Sequence, residues 1–204
     1  MKRLLFSLLA VFAVGRLSAQ DIDLPAPQKT GGMPLMEALA KRATVRALDT
    51  RALTPQQLSD LLWAAFGINR PDGRRTAPSA RNWQETDLYL LLPSGAYVYD
   101  ATHHRLNQVG TEDIRTAGGG QPAPTILIFV ADLAKPGGGN IEGKKNTANI
   151  DAGYISQNVY LYCASAGLAT GFRGSADRAA LTAKLKLRED QLIIGAQSVG
   201  YPKP

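Results

Sequence analysis

The clearest periodicity lies between Thr54 and Phe66, where Leu58, Leu61, Leu62, Ala65 and Phe66 recur at helical spacing. Thr54-Pro55-Gln56-Gln57 precedes it, with a hydroxyl at the N-cap, proline in the first turn and glutamine three positions on, and this predicts a helix with a capping box. A shorter helix is predicted from Pro34 to about Arg42. Residues 125–130 form an unbroken apolar run rich in branched side chains, the pattern of a strand buried on both faces. Residues 88–92 and 96–99 flank Pro93-Ser94-Gly95 and predict a hairpin. Ile155, Val159, Tyr162, Cys163 and Ala166 place a long helix over about 150–167, with Gly167 as its stop. A last helix is predicted over 176–187 and a last strand over 191–199. Residues 67–81 and 135–149 read as loops, and 167–174 as a glycine-rich link between two helices. This order is neither a repeat nor a strict alternation, and it predicts an α+β fold, a sheet flanked by helices.

The first residues depart from that pattern. Lys2 and Arg3 precede an apolar run from Leu4 to Val14 and then Leu17-Ser18-Ala19, the layout of a secretory signal cleaved after Ala19. The run is too short for a stable membrane span. The expected organisation is a signal peptide over 1–19, an extended linker over 20–32 rich in Pro, Gly and polar residues, and one domain over 33–204 in an exported, periplasmic protein. A length of 204 residues at 45% hydrophobic content supports one real core. Cleavage removes Lys2, Arg3 and Arg16 and takes the formal charge from +6 to +3. The remaining cations are scattered, which argues against nucleic acid and for a single anionic ligand. Cys163 is the only cysteine, so no internal disulfide can form, and it reads as a small core residue. His103 and His104 are adjacent, cannot both face one metal on a regular element, and are expected on a solvent loop with no metal.

Arg42, Thr44 and Arg46 alternate, so in an extended segment their side chains point one way, toward a phosphate site of two guanidiniums and a hydroxyl. A solvated basic helix end accounts for the same residues equally well. Pro78-Ser79-Ala80-Arg81-Asn82 either presents N–H groups, a hydroxyl and an amide to a polar planar ligand or is an ordinary turn. In 167–174 three glycines let backbone approach a ligand, with Arg173 beside it to hold a charge. No strand is predicted immediately before it, so it is not a dinucleotide fingerprint, and no Walker A pattern occurs. Gly-x-Ser-x-Gly is also absent and the carboxylates are dispersed, with no evident acid/base pair. An enzyme so equipped would draw its reactivity from a cofactor.

In this order, Arg42-Ala43-Thr44-Val45-Arg46, Ala77-Pro78-Ser79-Ala80-Arg81-Asn82, the Gly167-Leu168 turn and Val199-Gly200-Tyr201-Pro202 resemble the nitroreductase family over nearly the whole mature chain. The hairpin Leu92-Pro93-Ser94-Gly95-Ala96-Tyr97-Val98-Tyr99 is similar to the branch containing azoline-oxidising enzymes. The resemblance implies an α+β homodimer with two FMN sites at the subunit interface. It assigns the flavin phosphate to Arg42 and Thr44, and the pyrimidine edge of the ring to Arg46. Pro78, Ser79, Ala80 and Asn82 would line the flavin from the partner subunit, and Arg173 and Gly174 would form the turn approaching the reactive ring nitrogen.

Three departures stand out. Where relatives often place Asn or Lys against the ring, this chain has Thr116 to Gln121 with three glycines. It stops soon after Tyr201, where Lys203 stands in for a basic phosphate contact found in many relatives. An exported protein also meets little nicotinamide cofactor, so NAD(P)H, a membrane quinol and a redox protein all stay open as donors. The expected activity is ping-pong transfer to a small planar acceptor such as a nitroaromatic or quinone. The alternatives are a non-catalytic flavin module or carrier, and a degenerate relative that has lost the flavin.

Overall fold

A computed structural model describes residues 20–121 and 123–203; the expected signal peptide over 1–19 lies outside them. Seven strands form one antiparallel sheet: β1 (Ile22–Asp23), β2 (Thr86–Leu92), β3 (Gly95–Asp100), β4 (Arg105–Gly110), β5 (Thr125–Asp132), β6 (Ala169–Arg173) and β7 (Gln191–Gly200). Their order across the sheet is β1-β4-β3-β2-β5-β7-β6. The helices are α1 (Leu35–Lys41), α2 (Pro55–Phe66), α3 (Ile141–Ser165) and α4 (Arg178–Lys184). The predicted α+β sheet flanked by helices is the one observed.

Alternation along the central strands explains the layering. Leu88 and Leu90 of β2 and Leu127 and Phe129 of β5 join Leu61, Leu62 and Phe66 of α2 and Ile155, Val159 and Cys163 of α3 in one core. Tyr89, Leu91, Ile126, Ile128 and Val130 face the other way and pack with Leu181 of α4 and Leu185 in a second. A sheet covered on both faces needs apolar residues at every position of its middle strands, hence the unbroken run in β5. The capping box of α2 forms as predicted, Thr54 accepting from Gln57 N–H while the Gln57 side chain accepts from Thr54 N–H. Cys163 lies in the core, and burial pushes its thiol pKa up.

Several expectations need correction. α3 begins at Ile141, well before the predicted start, because its first turns are mostly exposed and polar and carry no apolar period. Asn140 caps it by accepting from Gly143 N–H at 2.8 Å. Residues 169–173 are not a link between helices but strand β6, paired with β7 around Gly171. β4 has no counterpart among the predicted elements, since Leu106 is its only fully buried residue. α4 is shorter than expected, starting from an Asp177 cap.

The stretch 20–32, expected as an extended linker, is docked along the domain. Ile22 and Asp23 pair with Leu106 and Arg105 at the sheet edge. Farther along, Gln28 N–H donates to Asp60 at 2.7 Å. A buried relay holds the middle: Ser59 Oγ donates to Pro25 O at 2.6 Å, which leaves it to accept from His104 Nε2 at 2.7 Å. His104 Nδ1 then accepts from the Tyr99 hydroxyl at 2.9 Å, so the network selects the Nε2-protonated tautomer. His104 is therefore not a solvent decoration like His103, and burial lowers its pKa.

Candidate functional site

The chain leaves α1 at Arg42, whose backbone (φ −55°, ψ 120°) is no longer helical, and runs extended beside the sheet edge. Val45 N–H donates to Thr170 O of β6 at 2.9 Å, and Lys203 N–H donates to Ala47 O at 3.0 Å. These bonds bring the first candidate segment and the C-terminal segment together.

The side chains of the segment converge as its alternation predicts. Arg42 stacks its guanidinium 5.6 Å from the centre of the Tyr160 ring. Thr44 Oγ1 lies 3.1 Å from Tyr160 Oη. Tyr160 Oη already accepts from Phe172 N–H at 2.8 Å, so its own proton can go to Thr44, leaving the Thr44 hydroxyl proton for a ligand. Thr44 and Arg46 both lie over Gly171, where an added Cβ would meet Arg46 Cγ at 3.3 Å and Thr44 Cγ2 at 3.4 Å. Arg46 and Lys203 then share a cavity of about 340 Å³ with Gln121. Among the described residues, none of Arg42, Arg46 and Lys203 has a carboxylate partner. Tyr160 carries no signal in the sequence, since only the tertiary fold brings it here, whereas Gln121 ends the Thr116 to Gln121 stretch that stands where relatives contact the ring.

Arg173 is committed differently from the expectation. Its guanidinium donates to Gly119 O and Ser198 Oγ, each at 2.5 Å, and to Gly118 O at 3.2 Å, so it buttresses the glycine-rich loop. Burial, reinforced by the nearby charge of Arg46, lowers its pKa. The glycines are needed there: Gly119 has φ +75°, and an added Cβ would lie 2.6 Å from Ser175 O. Gly119→Ala is expected to cost roughly 2 kcal/mol and lower Tm by about 5 °C in a thermal melt. Gly174 is unobstructed, with no atom within 4 Å of the point where a Cβ would stand.

The second candidate segment lies elsewhere. Residues Pro78, Ser79, Ala80 and Asn82 form a turn before β2, with left-handed backbone at Arg81 (φ 51°), Asn82 (φ 58°) and Gln84 (φ 49°). Such strain at non-glycine residues persists only where surrounding bonds enforce it. Gln84 N–H donates to Ser79 Oγ at 3.0 Å, and Gln84 Nε2 donates to Asn82 Oδ1 at 2.9 Å. Ala80 N–H donates to Asp151 Oδ2 of α3 at 2.9 Å.

Behind this turn the structure supplies what the sequence does not suggest, a close carboxyl pair. Glu85 is fully buried and Asp151 is 3% exposed. Neither Glu85 oxygen has a hydrogen-bond donor among the described residues. Burial, and next the neighbouring Asp151, push the Glu85 pKa up to about 7. With its pKa near 7, Glu85 keeps its proton in part at neutral pH, and that proton can be donated toward Asp151.

The family model described as the Nitroreductase family matches residues 39–201, and the chain belongs to that family. It is 27% identical over 190 residues to a provisionally assigned nitroreductase of Methanocaldococcus jannaschii, covering 85% of this chain and 93% of that protein. A crystal structure of a provisionally assigned nitroreductase from Ralstonia eutropha matches with TM-score 0.88 and 39% identity, covering 98% of this chain and 97% of the other. The NADPH:FMN oxidoreductase of Vibrio harveyi, solved with NAD+, shares the fold at TM-score 0.63 and 16% identity, covering 83% of this chain and 69% of that one. A flavin-type oxidoreductase is the general activity that this membership carries.

Proposed function

We propose that the protein is an exported, FMN-dependent oxidoreductase that passes electron pairs from a reduced donor to a small planar acceptor, such as a nitroaromatic or a quinone. One observation carries the cofactor: Arg42 and Thr44 meet at Tyr160, Thr44 and Arg46 meet over Gly171, Arg46 and Lys203 line one cavity, and none of the three cations has a carboxylate partner among the described residues. That donor set fits a phosphate monoester. When bound, FMN supplies the two-electron chemistry that the side chains lack. Arg42 and Thr44 hold its phosphate, with Lys203 adding charge from the C-terminal segment. Arg46 stabilises negative charge on the pyrimidine edge of the ring, and the fixed cation costs no reorganisation when that charge develops. The unobstructed Gly174 lets backbone come close to the ring, while Arg173 holds the adjoining loop.

The site takes two copies of the chain. The Arg42 cluster meets α3 at Tyr160 and the Pro78 turn meets it at Asp151. At 100° and 1.5 Å per residue these positions are about 180° apart around the helix and about 13 Å apart along it. A single copy therefore presents its two half-sites on opposite sides, and Pro78, Ser79, Ala80 and Asn82 line the ring bound by a second copy. Leu35, Met36 and Leu39 of α1 and Ile150 and Tyr154 of α3 are large, apolar and exposed, and supply the surface for that homodimer.

Donor and acceptor use the same face in turn, which makes the kinetics ping-pong. NAD(P)H is the donor suggested by the Vibrio harveyi protein; export, which rests on the pattern from Lys2 to Ala19, favours a quinol or redox protein instead. No helix among the described residues is long and apolar enough to cross a membrane. The test is the visible spectrum of the purified mature chain before and after anaerobic dithionite, followed by a quinone. Yellow protein that bleaches and quickly recovers supports the enzyme. Yellow protein without turnover on any acceptor means a carrier, and colourless protein that ignores added FMN removes the flavin altogether.

A further inference from the structure

The loop between α2 and β2 carries four guanidiniums around one cavity. Arg70, Arg74, Arg75 and Arg81 line a space of about 430 Å³ whose remaining wall is the turn containing Pro78, Ser79 and Asn82. Among the described residues only Arg74 has a carboxylate partner there, Asp72. Arg75 is locked in place: its Nε donates to Gln84 Oε1 at 2.8 Å, its Nη1 to Phe66 O at 2.9 Å, and its Cζ lies 4.7 Å from the Phe66 ring centre. Arg70 is held from the other side, through Nε to Asn69 Oδ1 and Nη2 to Arg75 O, each at 3.0 Å. Arg81 leans on the Trp83 ring, its Cζ 5.5 Å from the centre.

Gln84 joins the two walls. Its Nε2 donates to Gly73 O at 3.1 Å on the arginine side and to Asn82 Oδ1 at 2.9 Å on the turn side. The cations thus stand on a cross-linked, strained frame and not on a loose polar loop. Like charges converging on one cavity repel each other, and an anion seated among them reverses the sign of that term. Planar guanidinium forks suit the paired oxygens of a carboxylate, sulfonate or phosphate.

We propose that this cavity binds the anionic group of the molecule that exchanges electrons at the site, which makes the preferred acceptor a planar compound bearing a carboxylate, sulfonate or phosphate. The inference rests on the flavin reading, because the cavity shares Pro78, Ser79 and Asn82 with the segment assigned to the ring. It adds a substrate class that the reading does not contain.

The test compares menadione with a sulfonated naphthoquinone on the wild type, Arg70→Gln and Arg81→Gln. Binding is measured by calorimetry on the oxidised protein, and reoxidation is followed anaerobically after reduction with dithionite. Each variant is expected to bind the sulfonated quinone roughly 10-fold more weakly, with its half-saturating concentration in reoxidation rising in step. Menadione and flavin loading should be unchanged. Equal wild-type affinity for the two quinones, or variants that lose both alike or neither, would overturn the proposal. Failure of the flavin reading shows separately as colourless protein, and the calorimetric arm still decides whether the cavity selects the anion.

Discussion

Arg42→Ala is expected to weaken FMN binding by roughly 10- to 150-fold, the equivalent of losing one charge-assisted hydrogen bond worth about 1.5–3 kcal/mol. Arg42 rests against the Tyr160 ring, whose hydroxyl meets Thr44, so truncation also removes a packing partner of that ring. Fluorescence titration of the stripped protein measures the change. Arg42→Lys should recover only part of the loss, since an ammonium keeps the charge but not the planar fork. Affinity equal to wild type in Arg42→Ala would place the phosphate elsewhere. Added salt should weaken wild type more than the variant, because one fewer cation contributes to the screened attraction.

Glu85→Gln should make the folded protein more stable at pH 8 by roughly 3 kcal/mol, with the advantage vanishing near pH 4.5. The direction follows from the raised Glu85 pKa, about 7 against an ordinary 4.5. The folded state holds the Glu85 proton where the unfolded chain has released it, so the wild type loses stability as pH climbs from about 4.5 to about 7. Above that range the penalty is complete and constant. Glutamine keeps the shape, carries no charge, and can donate its N–H to Asp151. Urea unfolding at pH 5 and pH 8, at fixed protein concentration, gives the comparison. Parallel pH profiles for wild type and variant would mean that Glu85 finds a solvated or cationic partner in solution. The turn should respond as well: an ionised Glu85 repels the carboxylate that accepts from Ala80 N–H, so at pH 8 the turn amides should exchange faster in the wild type than in Glu85→Gln, a difference that shrinks at pH 6.

These two residues illustrate how much of the molecule is legible in the chain. The α2 cap and the doubly buried β5 obey local rules, a hydroxyl with its reciprocal glutamine and an unbroken apolar run, and both form as those rules predict. Arg42, Thr44 and Arg46 also converge by local alternation once α1 ends. The rest lacks a local signature. The first turns of α3 face solvent and mimic a loop, and β6 has glycine at its centre. Glu85 and Asp151 meet only because β2 starts beside α3, and His104 turns inward at φ 50° to meet Ser59. Arg173 stands out in the sequence for its charge, yet its visible work is to hold three polar groups of the neighbouring loop and strand.

The two-sided character of α3 has a genetic consequence. On the proposed homodimer, a lesion at Arg42 and a lesion at Asn82 would cripple different halves of the same composite centre, each contributed by a different molecule. Co-expressed or reassorted from denaturant, two such defective parents would form hybrids in which one centre receives both lesions and the other receives none. Random pairing makes half the assemblies hybrid, so a mixture of two inactive stocks should regain about one quarter of the normal turnover.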